Sequence, residues 1–321
     1  MTMITASAAG IDAGKTYLDI GIEPSRICFR VANAAAGIED AVTRLQQAGV
    51  HKVLLEAIGP FAQPAVTRLV AEGFEVGLIN PRRIKAFREA EGKRAKTDRL
   101  DASLIARFAV LMTDAPRPVP SANQQALKAL ATRRRQLVEM IAMEKMRLKQ
   151  ASDPLLCESH RTAIAALTVE RRRIDANIDD RLTIDAALAR RKVVLTSLPG
   201  FGPAIATTLI TDMPELGTLD RRAIASLAGL APHPSQSGTS AGRNQIGGGR
   251  PCVRTALYMA GLVASRCNPH FRAEYQSMRS DGKPAKVAII AIARKLLVLA
   301  NSLVKNDSLY DPDRADATVI H

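Results

Sequence analysis

Aromatic side chains are scarce in this chain of 321 residues: they make up 3% of it, and there is no Trp. Base stacking on an aromatic platform is therefore a poor candidate for its main contact with any partner. Cysteine is also sparse. Cys28, Cys157, Cys252 and Cys267 show no Cys-x-x-Cys spacing and do not pair with the five histidines, which disfavours structural zinc and a disulfide framework. No apolar run is both long and free of charge. The longest, "VAIIAIARKLLVLANSLV" at 287–304, carries Arg294 and Lys295 near its middle, so a buried or amphipathic helix is expected rather than a membrane span. The opening residues hold no long apolar signal core, and a cytoplasmic, nucleoid-associated protein without a membrane partner is expected. Acidic residues are outnumbered, 31 against 45 Lys and Arg. The net charge of +14 and pI near 10.0 suggest a polyanionic partner read through its backbone in a salt-sensitive way.

Against this background "GIDAGKT" at 10–16 stands out. A phosphate loop needs four residues between its first glycine and the Gly-Lys-Thr, but only three separate Gly10 from Gly14, and Ala9 stands where glycine is required. What remains is a strand carrying Asp12, a tight turn at Gly14 and a second strand at Tyr17–Glu23. Strand and helix signals then alternate: "ICFRVAN", "IEDAVTRLQQAG", "KVLLEA", "PAVTRLVAEG" and "EVGLIN". This order predicts a mixed α/β sheet. A mostly helical stretch entered at Pro81 follows, and the Pro-rich "TDAPRPVPSAN" at 113–123 marks a domain boundary.

Beyond residue 127 the period changes. Leu127, Leu130, Leu137, Ile141, Leu148 and Leu155 lie three, four or seven residues apart, as do Ile164, Leu167, Ile174 and Ile178 beyond Asp153-Pro154, with Leu188 ten further on. These heptad-like seams, interrupted by Arg134, Glu144 and Arg171, predict a long helical hairpin or coiled coil; either could carry an oligomer contact, and a bundle within one subunit fits about as well. The last segment opens with "LTSLPGFGPAIATTLITDM". Gly200 and Gly202 there suggest a helix-hairpin-helix-like turn, whose N–H groups can face a phosphate. An ordinary αα-corner is the plainer alternative.

The chemistry-bearing candidates are carboxylates. Asp12 lies on the first strand and Glu56 ends "KVLLEA", where an ionised group beside Leu54 and Leu55 needs a partner. Asp98 and Asp101 in "KTDRLDA" share one helix face. Converging, the four could hold hard divalent cations, Mg²⁺ by default and two per site, for phosphodiester chemistry. Separately, Asp98 and Asp101 could simply begin a helix, Asp12 could satisfy a turn, and Glu56 could pair with an arginine.

The succession "GIDAGK", "LLEAIG", "KTDRLDA", "LPGFGPAIA", "LAGLAPHPSQSGTSAGR" and "RTALYMAGLVA" resembles the DEDD-type insertion-sequence transposases related to the pilin-gene invertases, over about the whole chain. The resemblance implies a RuvC/ribonuclease-H-like domain at 1–118 carrying Asp12, Glu56, Asp98 and Asp101. The heptad-like segment then occupies 119–192, and the resemblance further implies a mainly α C-terminal transposase domain at 193–321 with a nucleophilic serine. Among Ser235, Ser237, Thr239 and Ser240 the residues alone give no choice; the family pattern of serine before glycine falls on Ser237. Composite sites shared between protomers, double-stranded DNA substrates, a structured guide RNA and a homo-oligomer are also implied. Arg243, Arg250 and Arg254 suit phosphate, although "NQIGGGRP" departs from familiar members and a solvated basic loop would explain any one of them as well. The competing readings are a junction nuclease using water, an actin-like or sugar-kinase ATPase, and an architectural DNA-binding protein. The ATPase should show a second Asp-Gly phosphate turn, and "IGGGRP" has neither that acid nor the strand before it.

Overall fold

In the computed structural model, residues 7–56, 60–92, 98–111, 121–233, 236–237, 240–241 and 245–312 are described. They fall into two compact units, Met1–Pro120 and Ser121–His321.

The first unit is built on strands β1 (Ala8–Ala13), β2 (Tyr17–Glu23), β3 (Ile27–Ala32), β4 (Lys52–Glu56) and β5 (Glu75–Ile79), in the order β3-β2-β1-β4-β5. Three strands run as an antiparallel meander, closed at its first turn by Gly14 N–H donating to the Tyr17 carbonyl at 3.0 Å. β4 and β5 are parallel to β1. The mixed sheet expected from the alternating signals is therefore present. Alternation along the strands gives the sheet two apolar faces. Ile11, Ile20, Val53 and Leu55 pack with helices α1 (Ala35–Gln47) and α2 (Gln63–Ala71). Ala8, Leu54 and Ile79 pack with α3 (Pro81–Ala90) and α4 (Asp98–Leu111). The start of α3 is fixed locally: the Asn80 side chain accepts from Arg82 N–H at 2.9 Å, and Pro81 occupies a first-turn position.

The second unit is helical. α5 (Ala122–Gln150) begins at a Ser121/Gln124 capping box and α6 (Pro154–Ile184) at an Asp153 cap, and the two pack as a long hairpin within one chain. Its seam is apolar at one end, where Leu127, Leu137, Ile174, Ile178 and Leu182 are buried. The polar seam positions are paired: Arg134 Nε meets Asp175 at 2.5 Å, and Glu144 meets His160 Nδ1 at 2.7 Å. That bond holds the Glu144 carboxyl below its ordinary range. Leu155, expected in the seam, is exposed because it lies in the first turn of α6 beside the hairpin bend.

Helices α7 (Ala186–Thr196), α8 (Pro203–Asp212), α9 (Arg221–Ala228), α10 (Pro251–Cys267), α11 (Pro269–Ser280) and α12 (Ala285–Lys305) enclose one core. By length and composition α12 could cross a membrane. Here Ile292, Leu296, Leu297 and Ala300 are buried in that core, as the interrupted apolar run suggested. Between α9 and α10 stand four two-residue strands: β6 (Pro232–His233), β7 (Gln236–Ser237), β8 (Ser240–Ala241) and β9 (Gln245–Ile246).

Candidate active site

The site in the first unit is set by how closely α4 lies on the sheet. Gly10 on β1 and Gly21 on β2 are cross-strand partners. A Cβ on Gly10 would stand 2.2 Å from the Ala106 nitrogen and 2.5 Å from the Ala102 carbonyl oxygen; one on Gly21 would stand 2.8 Å from Ser103 Cα. The helix backbone thus rests directly on strand backbone. Its direction follows from its far end, where Lys52 Nζ, at the start of β4, donates to the Ala109 carbonyl at 3.1 Å. α4 therefore crosses the sheet with its C-terminal end beside the start of β4, which directs its first turn, with Asp98 and Asp101, away from that end.

Asp12 and Glu56 are at the opposite end, the C-terminal end of β1 and β4. Asp12 follows Gly10 by two residues and so shares the α4 face of the sheet; Glu56 follows Leu54 in the same way. The β1–β4 register, which pairs Ile11 with Leu55, sets Asp12 and Glu56 side by side in sequence order at the strand ends. Both are half-buried. Asp101 is 5% exposed and makes an ion pair with Arg88 of α3, whose side chain is also mostly buried. Asp98 begins α4, and its side chain lies outside the described residues.

Two participants were not expected. Asp19, on β2, is the cross-strand partner of Asp12 and is 4% exposed. Two carboxylates directly opposite would repel. Arg30 on β3, itself opposite Asp19, answers that charge with Nε at 3.0 Å and Nη2 at 2.7 Å. Arg88 is the other. The alternation of "YLDIGIE" put Asp19 on the face of Asp12 in advance; nothing in the sequence paired Arg88 with Asp101, because that contact joins two helices.

The donor set fits a hard cation, since Asp12, Glu56 and Asp101 offer only carboxylate oxygens. Among the described residues no three acids, histidines or cysteines stand at metal-cluster spacing, and Arg88 supplies the positive charge beside Asp101.

In the second unit Ser237 lies on β7, paired with Ser240 of β8; its side chain is outside the described residues, as is all of Arg243. Gly200 has φ 83°, and a Cβ there would stand 2.5 Å from the Ala260 carbonyl oxygen, so it packs against α10. Gly202 caps α8 with no side-chain bond and with open space around its Cα. Arg250 and Arg254 are engaged within the chain: Arg250 bonds Glu215 through both Nη atoms at 2.6 Å, and Arg254 Nη1 donates to the Gly248 carbonyl at 2.8 Å.

Residues 9–153 match a family model for DEDD transposases of the IS110 type, and residues 193–276 match one described as the transposase IS116/IS110/IS902 family. The chain belongs to the DEDD-type insertion-sequence transposases. This transposase is 27% identical over 264 residues to the pilin gene-inverting protein of Moraxella bovis, with 81% of each chain covered. It is 29% identical over 163 residues to an uncharacterized 42 kDa protein of insertion element IS900 in Mycobacterium paratuberculosis, covering 47% of this chain and 39% of that one. A solved structure of Thermus thermophilus RuvC with a Holliday junction aligns with 35% of this transposase and 84% of RuvC at 18% identity. The TM-score of that alignment is 0.23.

Proposed function

We propose that this transposase is a site-specific DNA recombinase of an insertion sequence, which cuts and rejoins DNA with the acids of the first unit and Ser237 of the second. The observation that supports the reading is the close seating of α4 on β1 and β2 through Gly10 and Gly21. It directs the start of α4, with Asp98 and Asp101, toward the end of the sheet that carries Asp12 and Glu56. Those four residues would hold Mg²⁺, two ions in the fullest arrangement. The ions would supply charge neutralisation at the scissile phosphate and lower the pKa of an attacking hydroxyl. In the step itself Ser237 Oγ forms a bond to phosphorus, a deoxyribose oxygen leaves with a proton, and the Oγ proton passes to solvent. A second deoxyribose hydroxyl reverses the exchange on a new strand, so the number of phosphodiester-type bonds is kept.

The Moraxella relative is named for inverting a pilin gene, a rearrangement that requires DNA to be cut and rejoined. The net charge of +14 suits double-stranded DNA and a structured guide RNA together. A homo-oligomer is supported by the outer half of the hairpin, where Met143, Met146, Leu156 and Val169 are exposed. Beside them runs a groove of about 420 Å³ between α5 and α6, whose apolar lining of Met140, Met143, Ala163, Ala166 and Leu167 is flanked by Glu144 and Arg147. Such a partner copy could complete a composite site.

The test is a covalent-adduct trap. The tagged protein is expressed with its flanking element DNA, denatured and probed for attached DNA, beside Ser237→Ala and Asp12→Asn. An adduct in wild type that both variants lack is the expected result. Mg²⁺-dependent nicking that survives Ser237→Ala, with no adduct in wild type, would overturn the serine and leave a nuclease using water.

A further inference from the structure

The run Gly247-Gly248-Gly249-Arg250 is used by neither the acids nor the serine, yet it closes the base of the segment that carries Ser237. Chain leaves α9 at Gly229 and re-enters α10 behind Arg250. Between them β6 pairs with β9, Pro232 opposite Ile246, and β7 pairs with β8 inside that bracket. The described residues of this segment thus form two short β-pairs, one nested within the other in sequence.

That base is held in three ways. Arg250 N–H donates to the Leu227 carbonyl at 3.0 Å. Gly249, at φ 60°, lies so close to Gly229 that a Cβ would stand 2.3 Å from the Gly229 nitrogen. The Arg250 guanidinium grips Glu215 with Nη1 and Nη2, each at 2.6 Å, and Nη1 also donates to the Asp212 carbonyl at 2.7 Å. The side chains of the pair are only 20% and 17% exposed. Asp212 is itself fixed, its carboxylate accepting from Arg135 of α5 at 2.7 Å. A guanidinium already bidentate to a carboxylate has spent the fork that would recognise a phosphate.

We propose that Arg250 and Glu215 form a lock that positions the Ser237 segment, with Arg250 acting through Glu215 and not through nucleic acid. The catalytic consequence rests on the reading of Ser237 as nucleophile; the lock itself does not.

The discriminating pair is Arg250→Gln and Glu215→Gln in the full-length protein. The lock requires both partners, so each variant should lower adduct yield by about tenfold or more, as expected for a mis-set reacting group. Each should also speed proteolytic cleavage within 234–244, and the double variant should be no worse than either single one. The slope of log binding constant against log salt on element DNA should stay at the wild-type value. A phosphate contact makes the opposite forecast: Arg250→Gln reduces that slope by about one, while Glu215→Gln leaves adduct yield and cleavage unchanged. That result would overturn the lock. Arg250→Lys keeps the charge and loses the bidentate grip; it guards against a variant that fails to fold. The lock predicts faster segment cleavage in it, and wild-type cleavage would refute the lock. Should wild type yield no adduct, the Ser237 reading falls, and the cleavage rates still decide the lock.

Discussion

Replacing Gly10 by alanine tests the site without touching any acid. The added Cβ would stand 2.2 Å from the Ala106 nitrogen and 2.5 Å from the Ala102 carbonyl oxygen, both backbone atoms with no rotamer to escape into. Ordinary contact begins near 3.4 Å, so α4 must retreat by about 1.2 Å. Asp98 and Asp101 ride on that helix, while Asp12 and Glu56 stay with the sheet. A misplacement of about 1 Å costs on the order of 10²-fold in rate, or about 2.7 kcal/mol of barrier. Overpacking should cost about 1–3 kcal/mol of stability as well. The assay is Mg²⁺-dependent cleavage of element DNA, with a DNA-binding measurement and a thermal melt on the same preparation. The expected outcome is cleavage down about a hundredfold, binding within a few-fold of wild type and a lower melting temperature. Gly21→Ala, whose Cβ would stand 2.8 Å from Ser103 Cα, should act in the same direction and more mildly. Wild-type cleavage by Gly10→Ala would refute the claim that this contact sets the acids.

Two further perturbations follow from charge pairs. Arg88→Met strands the buried Asp101 carboxylate, a change that typically costs about 3–5 kcal/mol. Mg²⁺ should restore part of that, so the melting temperature of Arg88→Met should rise more on adding Mg²⁺ than wild type does; equal shifts would separate Asp101 from the metal. In the hairpin, His160 depresses the Glu144 carboxyl, with Arg147 adding to the effect. A depressed folded-state value means stability that is present above the ordinary carboxylate pKa near 4.5 and is lost as pH falls through the folded value. Glu144→Gln should flatten that acid limb in a helicity titration by circular dichroism, and an unchanged limb would rule the pair out as its source.

Much of the first unit was legible because its signals are local. Alternating apolar residues, the Gly14 turn and the Asn80-Pro81 helix start each act within a few residues, and each produced the element it implied. The hairpin was legible for the same reason, since a period near 3.5 records which face is covered. Pairings between elements were not legible. Arg88 with Asp101, Arg30 with Asp19 and Arg250 with Glu215 join residues 11 to 35 apart in sequence and meet only after packing. Arginine beside a conspicuous loop looks from sequence like a phosphate ligand, because charge is visible there and its partner is not. The acids themselves could be picked out only as a set, in the order strand, strand, helix.

Both units solve their positioning problem with glycine in place of side-chain packing. Gly10 and Gly21 let α4 lie on the sheet; Gly229 and Gly249 let the two ends of the serine segment touch. At Gly10, Gly21 and Gly249 the nearest atoms are backbone, with no side chain between to absorb an error; at Gly229 Nη1 of Arg254 stands beside the Gly248 carbonyl oxygen. Side-chain interfaces can repack around a lost or gained methyl; these contacts have only the choice of fitting or separating. Sites built this way should therefore be more sensitive to an added methyl at a remote glycine than to trimming an apolar residue nearby. The pattern of inactivating substitutions would then outline the glycines as clearly as the acids.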